Sequence, residues 1–536
     1  MKRNQTDGGE PAPVESFSQW VHTWRYLFGL IGLVALSVLF YAEEDWRGER
    51  AWRIYKERMS ARGESLESAD FIPPRVPDED NFAMTPALAP LFGFVPGSQR
   101  WNTNMSRLFG SLATYDAAAK LVKPRHVAVL NSWVHEPTDL ALWGAAFAAG
   151  TNYTEREPLR ATNSNDRDGA TSVLQALEEY APFLEELRQA SRRPRSRFNI
   201  HYEDDNPAGI LLPHLGQIKR YCQLVQLRAS AELALGRTED ALNDIGLMLY
   251  LVDASREEPI LISHLVRMSE LYLALQPLAE GMGKWSEPQL RALQQRLQQF
   301  DFCADMKRAL QAERTVFGIG IIEWVRRSPD KIKLLDDLQR TDSNASGELW
   351  PMGVLLTAAP EGWLYLEERN QCRAFDQYLL PALDVTNRVI RPATVRESET
   401  ALNRLTEGSP ASRFLHHRFF AGLLLPSLSR VAQKAAFTQT AVDTATLNCA
   451  LERYHLAHGQ FPDSLDKLCP DFIAQVPHDI ITGKPLKYRL NADGHYILYS
   501  VGWNEKDDGG QSQRNKSGEL DQKEGDWVWA EIPKPQ

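Results

Sequence analysis

The chain has 536 residues, 43% of them hydrophobic and 24% charged, and carries a formal net charge of -10 at neutral pH. That balance buries a sizeable core and excludes wholesale disorder, and the length corresponds to about three or four compact units of roughly 150 residues each. Neither the net charge nor any long run of Lys and Arg offers a phosphate-binding face, which removes nucleic acid as a partner.

The first 24 residues form a tail, and residues 25–43 follow as a predicted transmembrane anchor. Tyr26 to Ala42 holds no charged side chain and reaches about 25 Å as a helix, close to a bilayer core of about 30 Å. Trp20, Trp24 and Tyr26 before it and Tyr41 and Trp46 after it supply interfacial belts. Phe40 stands where a signal peptidase needs a small residue before Ala42, so the anchor is expected to be retained in the lipid bilayer. Arg47, Arg50, Arg53, Lys56 and Arg58 follow the span and only Arg25 lies close before it, a count that puts the following chain in the cytoplasm. Glu43, Glu44 and Asp45 beside the span, and Lys2 and Arg3 at the start, weaken that count, and long domains are translocated despite their charge.

Residues 44–100 read as a stalk and a proline-rich linker. Asp45 to Arg62 is helix-prone, with Trp46, Trp52, Ile54, Tyr55 and Met59 spaced for one apolar face. Pro73, Pro74, Pro77, Pro86, Pro90 and Pro96 preclude continuous helix from Asp70 to Gly97, which is expected to be extended, lying against something or linking two units.

Residues 101–420 form a predicted helical domain, mostly helix from about Leu108 to Leu380, with loops at Asn152 to Gly169, Ser191 to Pro207 and Ser328 to Gly347. Tyr221–Leu235 and Asp240–Leu251 repeat apolar residues every three or four positions around the turn Gly236-Arg237-Thr238-Glu239, which predicts two antiparallel helices. Ser286 caps the next helix, with Pro288 early in it and Leu290, Leu293 and Leu297 on its apolar side; a neighbour runs from about Asp305 to Val325. Ala231 to Leu242 (AELALGRTEDAL) is similar to the inter-helix part of a tetratricopeptide repeat, over about one repeat and without a 34-residue period. A concave partner-binding surface and a plain helical spacer both remain open for this region.

From Ala421 to the C-terminus, residues 421–536, the pattern changes to α+β. An apolar start leads into a helix described by its small residues as amphipathic, and Leu451-Glu452-Arg453-Tyr454, His458-Gly459 and Phe461-Pro462 follow. Gly459 suits a left-handed helix stop, Pro462 bars continuation, and Tyr454 and Phe461 are placed to pack on a following sheet. Leu486–Leu490, the turn Asn491-Ala492-Asp493-Gly494 and His495–Val501 predict a hairpin, and Asp526-Trp527-Val528-Trp529 a late strand. Ala421 to Leu465, with Thr482-Gly483-Lys484-Pro485 and Tyr499-Ser500-Val501-Gly502, resembles the stalk helix and globular head of a type II secretion major pseudopilin, a type IV pilin-like family. The whole chain is thus expected to be mainly α: an anchor, a helical-hairpin domain and a small pseudopilin-like head. The resemblance stops at the helix start, because here that helix is internal, and its apolar run Phe419–Leu425 is short and broken by Pro426.

The resemblance implies calcium in the loop after the hairpin, held by Asn504, Asp507, Asp508 and Asp526 with the Ser500 carbonyl as a further donor. Asn504 stands where the family has an aspartate and Glu505 where it has a glycine, and Asp507-Asp508-Gly509-Gly510 is equally good chemistry for a solvated turn. The resemblance also places the large C-terminal portion outside the cytoplasm, against the charge count, on a single-pass inner-membrane protein with envelope or secretion-system partners. Phe71 to Pro90 is similar to the proline-rich segment of large envelope proteins of the planctomycete and verrucomicrobial kind, which implies no activity.

The five cysteines, Cys222, Cys303, Cys372, Cys449 and Cys469, show no zinc-type spacing. Buried free thiols are expected, with a Cys449–Cys469 disulfide left open for an oxidising compartment. No G-x-S-x-G, phosphate-binding loop or dinucleotide fingerprint is present, and His135-Glu136 lacks the second histidine of a zincin. His455 and His458, the pair His416-His417 and the run Glu203-Asp204-Asp205 each have a structural reading as helix end, partly exposed pair and solvated loop. The expectation is a non-catalytic structural or adaptor protein; the alternative is a membrane-tethered hydrolase whose active site lies dispersed in the helical domain.

Overall fold

The apolar run and the charged segment after it form one continuous helix, α1 (Phe17–Ala61), in the computed structural model. The structure describes residues 17–95, 100–101, 112–122, 136–150, 166–202, 206–334, 350–405, 407–516 and 520–529. Glu203-Asp204-Asp205, His135, Lys2 and Arg3 lie outside them. Among the described helices α1 is the one long and apolar enough to cross a bilayer, and none of its apolar stretch is buried in protein. Ser37, the polar side chain in that stretch, donates to the Leu33 carbonyl at 3.0 Å, so its hydroxyl needs no partner from lipid.

Beyond the apolar stretch, α1 turns from exposed to buried in protein. Trp52, Tyr55 and Met59 are buried against Leu66, Ile319 and Cys372. The expected five-residue face is narrower than its spacing suggested: Trp46 and Ile54 are exposed, because at 3.6 residues per turn they sit about 130–150° around from the buried stripe. The proline-rich segment lies against the body. Phe82, Ala83, Leu88 and Leu91 are fully buried in the main core, and Asn81 clamps the segment by accepting from Arg197 N and donating to Arg197 O, both at 2.8 Å. Two short strands, β1 (Phe94–Val95) and β2 (Arg100–Trp101), close it.

The body is built from α2 (Ala113–Val122), α3 (Leu140–Ala149), α4 (Asp166–Leu177), α5 (Ala181–Ala190), α6 (Pro213–Ala234), α7 (Thr238–Ala254), α8 (Leu261–Glu280) and α9 (Glu287–Leu297). The predicted hairpin is α6–α7, turned at Gly236 with φ 80°, and Arg228 of α6 reaches Asp244 of α7 at 2.8 Å across it. Ser286 caps α9 as expected, in a full capping box with Gln289. The next helix, α10 (Phe302–Ala312), passes through a π-helical segment, Glu313–Ile319, into α11 (Gly320–Arg327). α12 (Trp350–Ala358) and α13 (Glu361–Ala374) follow, and α13 ends in a second π segment, Phe375–Leu379. The two-residue strands β3 (Leu383–Asp384) and β4 (Val389–Ile390) lead to α14 (Pro392–Leu405), α15 (Pro410–Leu415) and α16 (Phe419–Leu424).

The last helix, α17 (Val431–His458), does not have the single apolar face expected of it. It packs on α8, α9 and α10 and also on the C-terminal strands, so it is buried almost all round from Val431 to Leu451. The sequence allows this through small residues, Ala435, Ala436, Ala441 and Ala445 among them, and through threonines whose hydroxyls bond back within the helix: Thr440 to the Ala436 carbonyl at 2.9 Å and Thr444 to that of Thr440 at 2.7 Å. Gly459 stops it with φ 73°. One hydrophobic core runs from Phe82 through α17 to Trp529, across position 421. The hairpin forms as predicted, β5 (Lys487–Leu490) against β6 (Tyr496–Ser500), with Phe461 packed edge-on against Tyr496 at 4.8 Å. A second antiparallel pair not foreseen, β7 (Ser512–Arg514) with β8 (Leu520–Gly525), precedes the late strand β9 (Trp527–Trp529), which pairs with β6. All five cysteines are free thiols.

Candidate functional site

The five residues of the expected calcium loop divide into two groups. Asp526, fully buried, accepts from the backbone amides of Asp508 at 3.2 Å and Gly510 at 2.7 Å, and Asn504 donates to Asp508 Oδ2 at 3.1 Å. These three gather around one turn. Asp507 is directed away: its carboxylate pairs with Lys487 at 3.0 Å and accepts from Tyr499 OH at 2.9 Å, and the Lys487 ammonium holds its carboxyl below the usual range. The Ser500 hydroxyl donates to Asp479 at 2.9 Å, and its backbone lies in the β6–β9 pairing. Asp479 also accepts from Ile481 N at 2.9 Å, so it and Asp526 staple the head from inside, both carboxyls pushed up by burial. Among the described residues no three His, Cys, Asp or Glu side chains converge as a metal-holding group. His455 stacks on Phe461 at 4.5 Å and His458 on Tyr454 at 4.0 Å, packing roles at a helix end.

A cluster that sequence reading missed lies inside the helical body. In the first half of α8, Ser263, His264, Arg267 and Glu270 are polar and buried among apolar neighbours. His214 of α6 lies against Glu258 at 2.7 Å, and the Ser263 hydroxyl donates to the other oxygen of the same carboxylate. Serine and histidine thus meet through the glutamate, and the hydroxyl is directed to a carboxylate rather than to an imidazole base. Arg267 can only donate, so its 3.1 Å contact makes His264 Nδ1 the acceptor and leaves the proton on Nε2, which donates to the Glu258 carbonyl at 3.0 Å. Burial and then Arg267 push His264 down to about 3, which keeps it neutral. Arg267 is fully buried on Asp305 at 3.2 Å and on the Val252 carbonyl at 2.8 Å. The signal for this cluster is charge within α8, legible only once a helix is known to be covered on both sides.

Glu270, in the same helix, is buried with Oε2 unpartnered, and burial pushes its carboxyl up to about 8 against the opposing pull of Arg267. A carboxyl whose folded pKa is raised holds a proton that the unfolded chain has already released, so its contribution to stability is lost as pH rises from about 4.5 through about 8. Glu270→Gln is therefore expected to flatten the fall in melting temperature between neutral pH and mildly alkaline pH. Parallel slopes for parent and variant would contradict a protonated Glu270.

The third arrangement joins anchor to body. α1 and α13 run side by side from the end of the apolar stretch, and Asp45 caps α13 by accepting from Gly362 N at 2.8 Å, while Trp363 Nε1 donates to Glu44 at 2.8 Å. Tyr41 donates to the Ala358 carbonyl. The helices touch backbone to backbone at Gly48 and Gly362: a Cβ on Gly48 would lie 2.5 Å from the Gly362 Cα. Further along, the two π segments present Arg314 and Asp376 to each other and to the stalk; Arg314 also bonds Glu64 at 3.0 Å, and Tyr55 donates to Asp376. The wider π turn rotates these side chains out of the register an α-helix would impose.

These features define a mainly helical protein whose membrane-span-length helix is built into its folded body, with a small C-terminal region of antiparallel sheet beside a long helix. No family model, curated protein or solved structure matches the chain.

Proposed function

We propose that the protein is a non-catalytic, single-pass envelope protein that holds a rigid helical body against the membrane as a structural or adaptor element. The observation that carries this reading is the continuity of α1 from span to core, with Asp45, Glu44, Gly48 and Tyr55 each engaged by the body. A flexible tether would need none of these contacts; a device that fixes orientation needs all of them. The long α17 stopped at Gly459, and the sheet after it, support a pseudopilin-like head, and the α6–α7 turn supports a tetratricopeptide-like hairpin. On this reading the protein sits in an inner membrane, with its large C-terminal portion outside the cytoplasm and its partners among envelope or secretion proteins.

Topology is tested by placing a cysteine at Lys467, an exposed position in the head. An impermeant maleimide should modify it in intact spheroplasts; labelling only after lysis would place the body in the cytoplasm. Calcium is tested by calorimetry on the full chain. Weak binding in the micromolar to millimolar range, abolished in Asp508→Ala and retained in Asp507→Ala, is expected from the way Lys487 occupies Asp507. No heat with folded parent protein would remove calcium from the reading.

A further inference from the structure

Outside α1, four of the exposed large apolar side chains belong to one corner of the body. Ile332, Val354 of α12, Leu415 of α15 and Leu423 of α16 are between 40% and 56% exposed. The elements carrying them share a small core of their own that includes Leu334, Met352, Phe414 and Phe419. Ile262 and Leu456, the others among the described residues, stand on α8 and α17. Scattered apolar residues need no explanation, but a gathered set marks a contact surface.

The position of this corner is fixed by α1. The Ala358 carbonyl, at the end of α12, accepts from Tyr41, which lies in the last turn of the apolar span. Trp363 bonds Glu44, and His417, between α15 and α16, packs edge-on against Trp363 at 5.3 Å. These contacts bring the end of α12 and the turn between α15 and α16 beside the end of α1's apolar stretch. Arg47 of α1 and Arg369 of α13 lie near the same junction. Arg369 donates to its neighbour Asn370, which in turn donates to the His417 carbonyl at 2.7 Å. Arg373 and Arg47 lie within electrostatic reach of Arg369, and Arg47 is itself paired with Glu44. Such a cluster favours an anionic surface.

We propose that this corner is a second membrane contact: Val354, Leu415 and Leu423 enter the interfacial layer of the bilayer that α1 crosses, and Arg47 and Arg369 meet the phosphates of anionic lipid headgroups. The inference rests on α1 being a span. It explains why the described part of the body leaves Ile332, Val354, Leu415 and Leu423 exposed, and it gives the body a fixed tilt, held by the stalk on one side and by α12, α15 and α16 on the other.

The test uses the full chain in lipid nanodiscs, with Cys469→Ser as background because the other native cysteines are buried. Single cysteines at Leu423, Leu415, Val34 and Leu456 carry bimane, and a nitroxide is placed high on the lipid acyl chain. Val34 reports the span, and Leu456, equally exposed on α17, reports a site away from the patch. Leu423 and Leu415 should be quenched about twofold or more relative to Leu456, as expected for apolar groups at the acyl boundary. Quenching at Val34 with none at Leu423 and Leu415 overturns the second contact while leaving the span intact. No quenching at Val34 overturns the span reading itself. Protection of Leu423 that depends on protein density in the disc would assign the face to a second copy and also overturn the proposal. Replacing zwitterionic lipid with an anionic mixture should deepen quenching at Leu423 in the parent but not in Arg47→Gln/Arg369→Gln; indifference to lipid charge in the parent overturns the headgroup half.

Discussion

Gly362→Leu will separate the stalk from the body, and it should destabilise the protein by about 3 kcal/mol or more, at the upper end of what overpacking costs. A Cβ at Gly362 would lie 2.6 Å from both the Glu44 carbonyl carbon and the Asp45 Cα, and one at Gly48 would meet the Gly362 backbone as closely. Both obstacles are main chain, so no side chain can swing aside. The helices must part, and parting them breaks the Asp45 cap and the Trp363–Glu44 bond. Thermal unfolding in detergent should show the loss, and limited proteolysis should cut near Gly63, just past the end of α1, where the parent resists. Gly246→Ala is the control: Gly246 lies in α7 with open space around its Cβ position, so alanine should be neutral or stabilise by up to about 1 kcal/mol. A Gly362→Leu protein as stable as the parent would mean that α1 does not cross α13 there.

Arg267→Leu should cost about 3–5 kcal/mol, the range for removing one partner of a buried ion pair. The guanidinium is fully buried and serves Asp305, the Val252 carbonyl and His264 Nδ1 together. Its loss leaves an acceptor on each of three elements unpaired. Arg256, 3.0 Å from Asp305 on its more exposed side, covers part of that carboxylate only. The double variant Arg267→Leu/Asp305→Leu should recover part of the loss, with a coupling of about 0.5–3 kcal/mol in denaturant unfolding. Additive effects would mean that the two residues act separately and that the α8–α10 contact does not depend on their charge pair.

Both predictions concern positions that sequence reading passed over, and the reason is physical. Gly48 and Gly362 are unremarkable glycines in two helices until those helices are known to cross. The partners Asp45 and Gly362 stand 317 residues apart, beyond the reach of any periodicity. Arg267 and Glu270 give no sequence signal on α8, because a helix covered by neighbours on more than one side carries no polar stripe to compare them with. The same effect made α17 look amphipathic. The π segments, which aim Arg314 and Asp376 at the stalk, have no counterpart in helix propensity or capping signals.

Features that depend on a few neighbouring residues were legible in full. The uncharged run in α1, the Gly236 turn, the Ser286 cap, the Gly459 stop and the β5–β6 hairpin each follow from contacts within a handful of positions, where steric limits and hydrogen-bond geometry leave few choices. The acidic loop was found as a cluster, but which carboxylates face one another was settled by Lys487 and by the amides of Asp508 and Gly510. Packing between distant elements decided which face of each helix is covered, where charge is buried, and that anchor and body form one piece. Those outcomes depend on which surfaces meet, and a linear pattern of apolar residues records that a surface is sticky without recording what it sticks to.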